Sequence, residues 1–393
     1  MKKIILFLFL ISICSTAFSQ LPFDNVLREI ESNNTLLKAY RAENEALQLQ
    51  NLTGLNLADP EVSFAYMWGQ PSDVPNKINI GVTQSFDFAT LSGAKKRVAN
   101  CQNNIVELEY KQNCLTLILE AESELIGVVY YNALIEMLNE RIDLLTKKSH
   151  SLHDALKNGE TTILDVNIAD IELQSLVSEH RLAEIERNAL LVELKRLNGG
   201  KELLFHSDEF PAVRGLATTF DEWYIEAEAR NPLLQSLRAN IELSKEEVSL
   251  SKSQGLPNFA VGYVNELVAG ENHHGISVGV SLPLWSNSGK VKAAKAALNA
   301  SQAELEDAQL KFYAELQSQY ERVIALESMM NEYKKALADL NNKVALDKSF
   351  EAGNISILEY VQELQMYYDL KSKTLSAERD YLDAYCKLMI YTY

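Results

Sequence analysis

Two segments of the chain alternate apolar and polar residues with the period of two that is typical of β-strands. The apolar positions of the first segment, on either side of a turn at residues 70–76, are Val62, Phe64, Tyr66, Trp68, Ile78, Ile80, Val82, Phe86 and Phe88. Those of the second, on either side of a loop at residues 270–274, are Phe259, Val261, Tyr263, Ile276, Val278, Val280, Leu282 and Leu284. The pattern predicts two β-hairpins, each with one apolar face. Polar side chains are expected on the opposite face, at Ser63, Asn79, Thr83, Ser277 and Ser281.

Most of the remaining chain favours helices. A helix of about 30 residues is predicted before each hairpin, at residues 23–57 and 220–255. A longer helix follows each hairpin, at 94–158 and 290–352, and a turn then leads into a shorter returning helix. The segment 290–352 contains neither glycine nor proline, which predicts one uninterrupted helix of about 95 Å. Its apolar residues recur at intervals of seven and indicate a partner helix.

This order of elements occurs twice. A constant offset of 197 residues aligns the first half with the second, for example Asn34 with Asn231. With small slips the match continues to Gly159 and Gly353, the two predicted turns. The duplication predicts a first repeat at 20–200, a linker at 201–219 and a second repeat at 220–393.

The N-terminus has the layout of a secretory signal peptide. Lys2 and Lys3 precede an apolar run at 4–14, and a small-residue pattern ends at Ser19. We therefore expect residues 1–19 to be removed. Lipid attachment at Cys14 is an alternative, although Ile13 stands where a lipidation motif needs a small residue.

Charge and composition narrow the class of protein. The chain has 37 basic and 54 acidic residues and a net charge of −17, which argues against a nucleic-acid partner. Apolar residues make up 47%, so the chain is globular rather than disordered. Cys101, Cys114 and Cys386 have no metal-type spacing and indicate no disulfide framework.

The sequence contains no recognisable catalytic motif. The chain lacks a glycine-rich phosphate loop and a recognisable nucleophile arrangement, so we expect neither catalysis nor a cofactor. His273 and His274 are adjacent but have no third ligand near them in the sequence. We therefore expect no metal site, because structural and catalytic metal sites need at least three ligands.

The predicted strands need further partners. A two-stranded hairpin is at best marginally stable alone in water. Strands of about 9 to 11 residues with one apolar face are long enough to cross a bilayer when tilted. Four strands are too few to close a barrel around a lumen, so a membrane barrel would need several chains. The alternative is a small soluble sheet that caps a helical bundle.

The chain resembles the TolC family of outer-membrane efflux proteins. The resemblance rests on the duplicated plan and on short motifs in the second copy: Asn231-Pro232-Leu233-Leu234, Leu256-Pro257-Asn258, Ser281-Leu282-Pro283-Leu284, and Gly353 followed by Ile357-Leu358-Glu359. It implies a mainly α fold with a small β part. Long helical hairpins would form an α-barrel tunnel through the periplasm, and four strands per chain would contribute to a trimeric, twelve-stranded barrel in the outer membrane.

The same resemblance implies passive conduction. A homotrimer would form the exit duct of a tripartite efflux system, with a periplasmic adaptor protein and an inner-membrane pump, most similar to the resistance-nodulation-division (RND) type, as partners. The sequence does not fix the substrate. The second hypothesis is a secreted or periplasmic coiled-coil scaffold or adaptor without a pore, which would not need apolar alternation on all four strands.

The resemblance also points to candidate site residues. The turns at Gly159-Glu160 and Gly353-Asn354 are expected at the periplasmic end, where family members meet the adaptor. Glu359 is similar to an acidic ring at the family's periplasmic aperture, and Asp165 is its counterpart in the first copy. The alternatives are that the glycines only form turns and that the carboxylates only cap helix ends.

Overall fold

The computed structural model describes residues 23–213, 215–216, 219–340 and 343–392. The predicted signal peptide at 1–19, with Cys14, lies outside these residues. The described chain is mostly helical with one four-stranded sheet, which confirms the predicted fold class.

The helices and strands follow the duplicated order predicted from the sequence. The first copy contains, in chain order, α1 Asp24–Asn33, α2 Thr35–Asn51, β1 Glu61–Met67, β2 Lys77–Phe86, α3 Ala89–Asn158 and α4 Ile163–Leu197. The second contains α5 Phe220–Arg230, α6 Pro232–Ser253, β3 Asn258–Val268, β4 Glu271–Ser281, α7 Lys290–Asp339, α8 Lys343–Glu351 and α9 Ile357–Met389. The limits of the repeats and of the linker at 201–219 remain predictions.

The single helix predicted before each hairpin is wrong in both copies. Asn34 separates α1 from α2, and Asn231 separates α5 from α6. Asn34 has φ −55° and ψ 126°, and Asn231 has φ −61° and ψ 116°, so neither backbone is helical. Each asparagine instead caps the helix that follows it, α2 or α6. In α6, Pro232 occupies the first turn, where the missing N–H of proline costs no helical hydrogen bond.

The long helices match the prediction in the first copy only. Helix α3 runs without interruption through 70 residues. In the second copy one uninterrupted helix at 290–352 is wrong, because α7 ends at Asp339 and α8 begins at Lys343. Leu340 lies in a turn directly after Asp339, and aspartate is a weak helix former because its side chain competes for backbone hydrogen bonds.

The chain divides into two units, and each takes segments from both copies. One unit comprises Met1–Leu37, Cys114–Glu228 and Ala314–Tyr393, and the other comprises Lys38–Asn113 and Ala229–Tyr313. The first unit contains the main hydrophobic cluster. Its members come from α3, α4 and α9 and include Leu138, Leu145, Leu176, Tyr360 and Tyr368.

The second unit contains the sheet. Its four strands pair antiparallel in the order β1-β2-β3-β4, so both hairpins belong to one sheet. The two copies join at β2 and β3, where Lys77 pairs with Val268 and Phe86 with Phe259. Strand β1 has only 7 residues, shorter than predicted. It ends before Gly69, whose N–H donates to the Asn76 side chain instead of to a neighbouring strand.

The loop predicted at 270–274 is wrong. Strands β3 and β4 are joined by only Ala269 and Gly270, and residues 271–274 continue β4. Both turn residues have positive φ, 50° and 88°. Two consecutive positive φ angles give the turn whose twist matches that of the flanking strands, which allows so short a connection.

Candidate functional site

One face of the sheet is apolar and exposed. Strand register places the alternating apolar residues of all four strands on this face, for example the pairs Phe64–Ile80 and Tyr263–Ile276. Ile276 is 80% exposed and Phe64 69% exposed. Large side chains that stand open to solvent on every strand indicate a surface that meets an apolar environment.

The opposite face is polar, as the sequence predicted. Ser63 pairs with Gly81, Thr83 with Gly262 and Gly262 with Ser277, which places these residues on one face. A side-chain carbon at Gly262 would lie 2.6 Å from the Ser277 hydroxyl and 2.9 Å from the backbone oxygen of Val82, so this position favours glycine.

The polar face carries charged residues near the β3–β4 turn. Lys77 Nζ lies 2.8 Å from Glu266 Oε1, a pair between the two copies of the repeat. His273 Nε2 lies 3.5 Å from Glu271 Oε2. His274 pairs with Asn265 on the other face, so alternation points the two histidines to opposite sides. Among the described residues, no group of histidine, cysteine and acidic side chains could hold a metal ion.

The sheet has two open edges. Within the described residues, β1 pairs only with β2, and β4 pairs only with β3. Each outer strand therefore presents backbone N–H and C=O groups that another strand could bind. Among the described helices, none is both long enough and apolar enough to cross a bilayer.

The first predicted tip is a helix end built for a sharp turn. Gly159 has φ 77°, a conformation that favours glycine. The N–H of Glu160 donates to Ala155 O at 2.9 Å and that of Gly159 donates to Leu156 O at 3.1 Å. These two hydrogen bonds close the end of α3 in the Schellman arrangement.

The second tip repeats this geometry. Gly353 has φ 72°. The N–H of Asn354 donates to Ser349 O at 2.9 Å, and that of Gly353 donates to Phe350 O at 3.0 Å. Gly159, Glu160, Gly353 and Asn354 are all exposed. The prediction of two equivalent turns is therefore correct in its geometry, whereas their contact with an adaptor stays a prediction.

Asp165 and Glu359 perform the same local task in the two copies. Each acidic side chain accepts hydrogen bonds from the residue directly before its helix. The hydroxyl of that residue in turn accepts a hydrogen bond from the backbone N–H of the acid, and the two together form a capping box. Asp165 binds Thr162, and Glu359 Oε2 accepts from the Ser356 N–H at 2.8 Å. Both carboxylates therefore stabilise helix ends. Their position at a periplasmic aperture stays a prediction.

These hydrogen bonds favour the ionised carboxylates. The hydroxyl and then the backbone N–H of Thr162 hold the pKa of Asp165 below its usual value. The backbone N–H and then the hydroxyl of Ser356 do the same for the pKa of Glu359. Each tip thus carries a fixed negative charge at neutral pH.

The structure brings the two tips into one region of the first unit. Val166 and Ala169, which follow the first tip, belong to the same buried cluster as Ile357, Tyr360 and Val361, which follow the second. Helices α4 and α9 therefore return from their turns side by side.

An exposed leucine lies beside each tip, and neither was predicted from the sequence as a contact residue. Leu164 is 69% exposed and Leu358 48% exposed, and each precedes its capping acid by one residue. The sequence does contain a signal, because Ile-Leu-acid follows both glycines at the same distance.

A lysine connects the first copy to the second near the tips. Lys148 Nζ on α3 lies 3.1 Å from Glu351 Oε1 and 4.0 Å from Asp347 Oδ1, both on α8. It also lies 5.2 Å from the centre of the Phe350 ring and 5.5 Å from that of Tyr360. The Tyr360 hydroxyl donates to Asp347 at 2.6 Å. No sequence motif indicated this cluster, because its members lie far apart along the chain.

Residues 223–392, nearly the whole second copy, match the family model described as outer membrane efflux protein. This part of the chain is therefore similar to the outer membrane efflux protein family. The resemblance identified from the sequence is thereby confirmed. The family is one of channel proteins. No curated protein matches the chain.

Solved structures share the fold over nearly the whole chain. CusC is 12% identical with a TM-score of 0.78, covering 94% of this chain and 91% of that one. The Campylobacter jejuni CmeC outer membrane channel is 14% identical with a TM-score of 0.75, covering 94% and 85%. The outer membrane protein VceC from Vibrio cholerae is 13% identical with a TM-score of 0.74, covering 94% and 95%. The first copy, which lies entirely before the family match, thus shares the fold of these solved structures as well.

Proposed function

We propose that this protein is the outer-membrane exit duct of a tripartite efflux system. It conducts substrates passively from an inner-membrane pump and a periplasmic adaptor to the outside. The observation that carries the proposal is the amphipathic sheet, whose apolar face is exposed on all four strands. The match of residues 223–392 to the outer membrane efflux protein family supports the same function.

The two faces of the sheet suit the two sides of a barrel wall. The apolar face would contact lipid, and the face with Ser63, Thr83 and Ser277 would line a water-filled lumen. A scaffold without a pore has no use for such a surface. The amphipathic sheet therefore disfavours the scaffold hypothesis.

The open edges favour a closed assembly of several chains. In a bilayer, unpaired backbone groups at a sheet edge are costly, so β1 of one chain must pair with β4 of another. Three chains would supply twelve strands, as the resemblance to the TolC family implies. The homotrimer is part of our proposal.

The tips would form the periplasmic end of the duct. Their exposed glycine turns leave room for an adaptor to approach closely, and Leu164 and Leu358 offer apolar anchors beside them. Glu359 would line the narrowest periplasmic aperture, with Asp165 farther from the axis. The pump partner would be of the RND type.

Fractionation and mass measurement test the location and the assembly together. We expect the chain in the outer-membrane fraction, extracted only by detergent, with a mass in detergent of three protomers. Recovery as a monomer in the soluble periplasmic fraction would overturn the proposal. A detergent-solubilised monomer or dimer would overturn the trimer alone.

A further inference from the structure

Glu122 is a buried acid without a partner. It lies within α3, its side chain is 0% exposed, and neither carboxylate oxygen has a hydrogen-bond partner among the described residues. Water cannot compensate a charge in this position, so the neutral acid is favoured. Glu122 takes no part in the capping of the helix ends or in the packing of the tips described above.

Helix α9 supplies the groups that face Glu122. The Cys386 thiol, 2% exposed, lies beside the carboxyl group, and Asp383 lies one turn earlier on the same helix. Asp383 has its own partners: Ser123 Oγ donates to it at 2.7 Å and Lys387 Nζ at 2.6 Å. The lysine therefore compensates Asp383, and the charge of Asp383 further disfavours an ionised Glu122.

The groups that act on the pKa of Glu122 include no positive charge. On α4, Glu193 and Arg196 act on Glu124, and Arg196 is also paired with Glu120 at 2.7 Å. On α7, Glu315 acts on Tyr391 beyond the end of α9. Among the described residues, Glu122 takes part in no ion pair.

Burial, the largest effect, raises the pKa of Glu122 to about 7. The adjacent Cys386 thiol opposes this increase, and the charge of Asp383 adds to it. With a pKa near 7, about one in ten of these carboxyl groups is ionised at pH 6 and about nine in ten at pH 8.

We propose that Glu122 makes the packing of α3 against the C-terminal part of α9 sensitive to pH. The neutral acid fits the interface beside Cys386. The carboxylate, uncompensated and next to Asp383, loosens it. The inference goes beyond the duct function, because it concerns the packing of one chain and requires neither a pore nor a transported substrate.

The direction of the effect follows from proton linkage. The folded pKa of this acid is raised above the unfolded value of about 4.3, so the folded state binds more protons between these two values. Stability therefore falls as pH rises through this window and levels off above a pH of about 7. Local opening of α9 that frees Glu122 becomes easier with the same dependence.

Hydrogen exchange of the full chain in detergent tests the inference. Protection factors at residues 381–389, corrected for the intrinsic exchange rate, are measured at pH 6 and pH 8 in the natural protein, in Glu122→Gln and in Glu120→Gln. We expect a fall of about tenfold between pH 6 and pH 8 in the natural protein. Glu122→Gln should abolish the pH dependence. Glu120→Gln, the same change two residues away on an exposed side chain, should retain it.

Two results would overturn the inference. The first is that the protection of α9 in the natural protein does not change between pH 6 and pH 8. This result is decisive even when the variants fail to fold. The other is a tenfold fall that persists in Glu122→Gln and in Glu122→Met, which has a similar volume and no titratable group. Neither result depends on whether the protein conducts.

Discussion

Asn34 and Asn231 occupy equivalent positions 197 residues apart, and each side chain caps the helix that follows it. Asn34 Oδ1 accepts a hydrogen bond from the Leu37 N–H at 2.8 Å, and Asn231 Oδ1 accepts one from the Leu234 N–H at 3.0 Å. Both residues are buried, so water cannot replace these bonds.

Replacement of Asn34 by alanine should destabilise the protein by about 1 to 2 kcal/mol, because a helix cap and a buried hydrogen bond are lost together. Asn34 Nδ2 also donates to Leu197 O at 2.8 Å, which ties the start of α2 to the end of α4. Chemical denaturation in detergent checks the magnitude. Asn231→Ala is the matched comparison and should show a cap loss of similar size. A loss below about 0.3 kcal/mol in both variants would show that the caps contribute little.

Val280→Arg should impair insertion into the membrane, whereas Ser281→Arg should not. The register pairs Val280 with Phe259 on the apolar face and Ser281 with Asn258 on the polar face. An arginine that faces lipid near the midplane costs about 2 to 4 kcal/mol. Assembly is measured as the heat-resistant oligomer on gels. Equal assembly of both variants would contradict the assignment of faces. A defect confined to Ser281→Arg would reverse it.

Glu359→Gln should weaken cation selectivity and block by multivalent cations. Three carboxylates close to one axis attract cations and repel anions. Glutamine can still serve in a capping box, so the helix end should persist. Selectivity is measured by reversal potentials in a salt gradient. Asp165→Asn is the control, and a loss in this variant with none in Glu359→Gln would move the aperture to the first copy.

Both tips should loosen in acid. Hydrogen bonds depress the pKa of Asp165 and of Glu359, so the stability that these caps contribute is complete above the unfolded values, about 4, and is lost as pH falls through the folded values. Hydrogen exchange at residues 162–166 and 356–360, corrected for intrinsic rates, should accelerate below a pH of about 4. Glu359→Gln, whose side chain does not titrate, should remove this acid response at the second tip alone. An unchanged response in that variant would exclude the capping box as its cause.

Lys148→Met should destabilise the region of the tips by about 1 kcal/mol, through the loss of its ion pairs and ring contacts with α8 and α9. Methionine preserves much of the length and apolar surface of the stem. Lys147→Met changes an exposed neighbour and should have little effect. Limited proteolysis at the second tip distinguishes the two, and equal cleavage rates would show that Lys148 does not hold α8.

Local patterns revealed much of this architecture in advance. Alternation predicted the two faces of the sheet, and Gly159 and Gly353 predicted the two turns, because these features depend on neighbouring residues only. The breaks at Asn34 and Asn231 were missed although asparagine is a favoured helix cap and Pro232 directly follows Asn231. The turn at Ala269 was missed because alanine rarely adopts a positive φ.

Contacts between distant segments were beyond the reach of sequence patterns. Lys148 meets α8 roughly 200 positions later in the chain, and Glu122 meets Cys386 more than 250 positions later. Neither hydrophobic periodicity nor a short motif predicts which residues form such pairs. They emerge only when the two copies of the repeat fold together within one unit.

Conductance of the purified protein in planar lipid bilayers is the most direct test of the exit duct. We expect discrete, stable current steps from the detergent-extracted trimer, with a preference for cations that depends on Glu359. Insertion of an intact trimer into the bilayer without any current would contradict a passive duct, as would currents that persist unchanged in a variant whose barrel does not assemble.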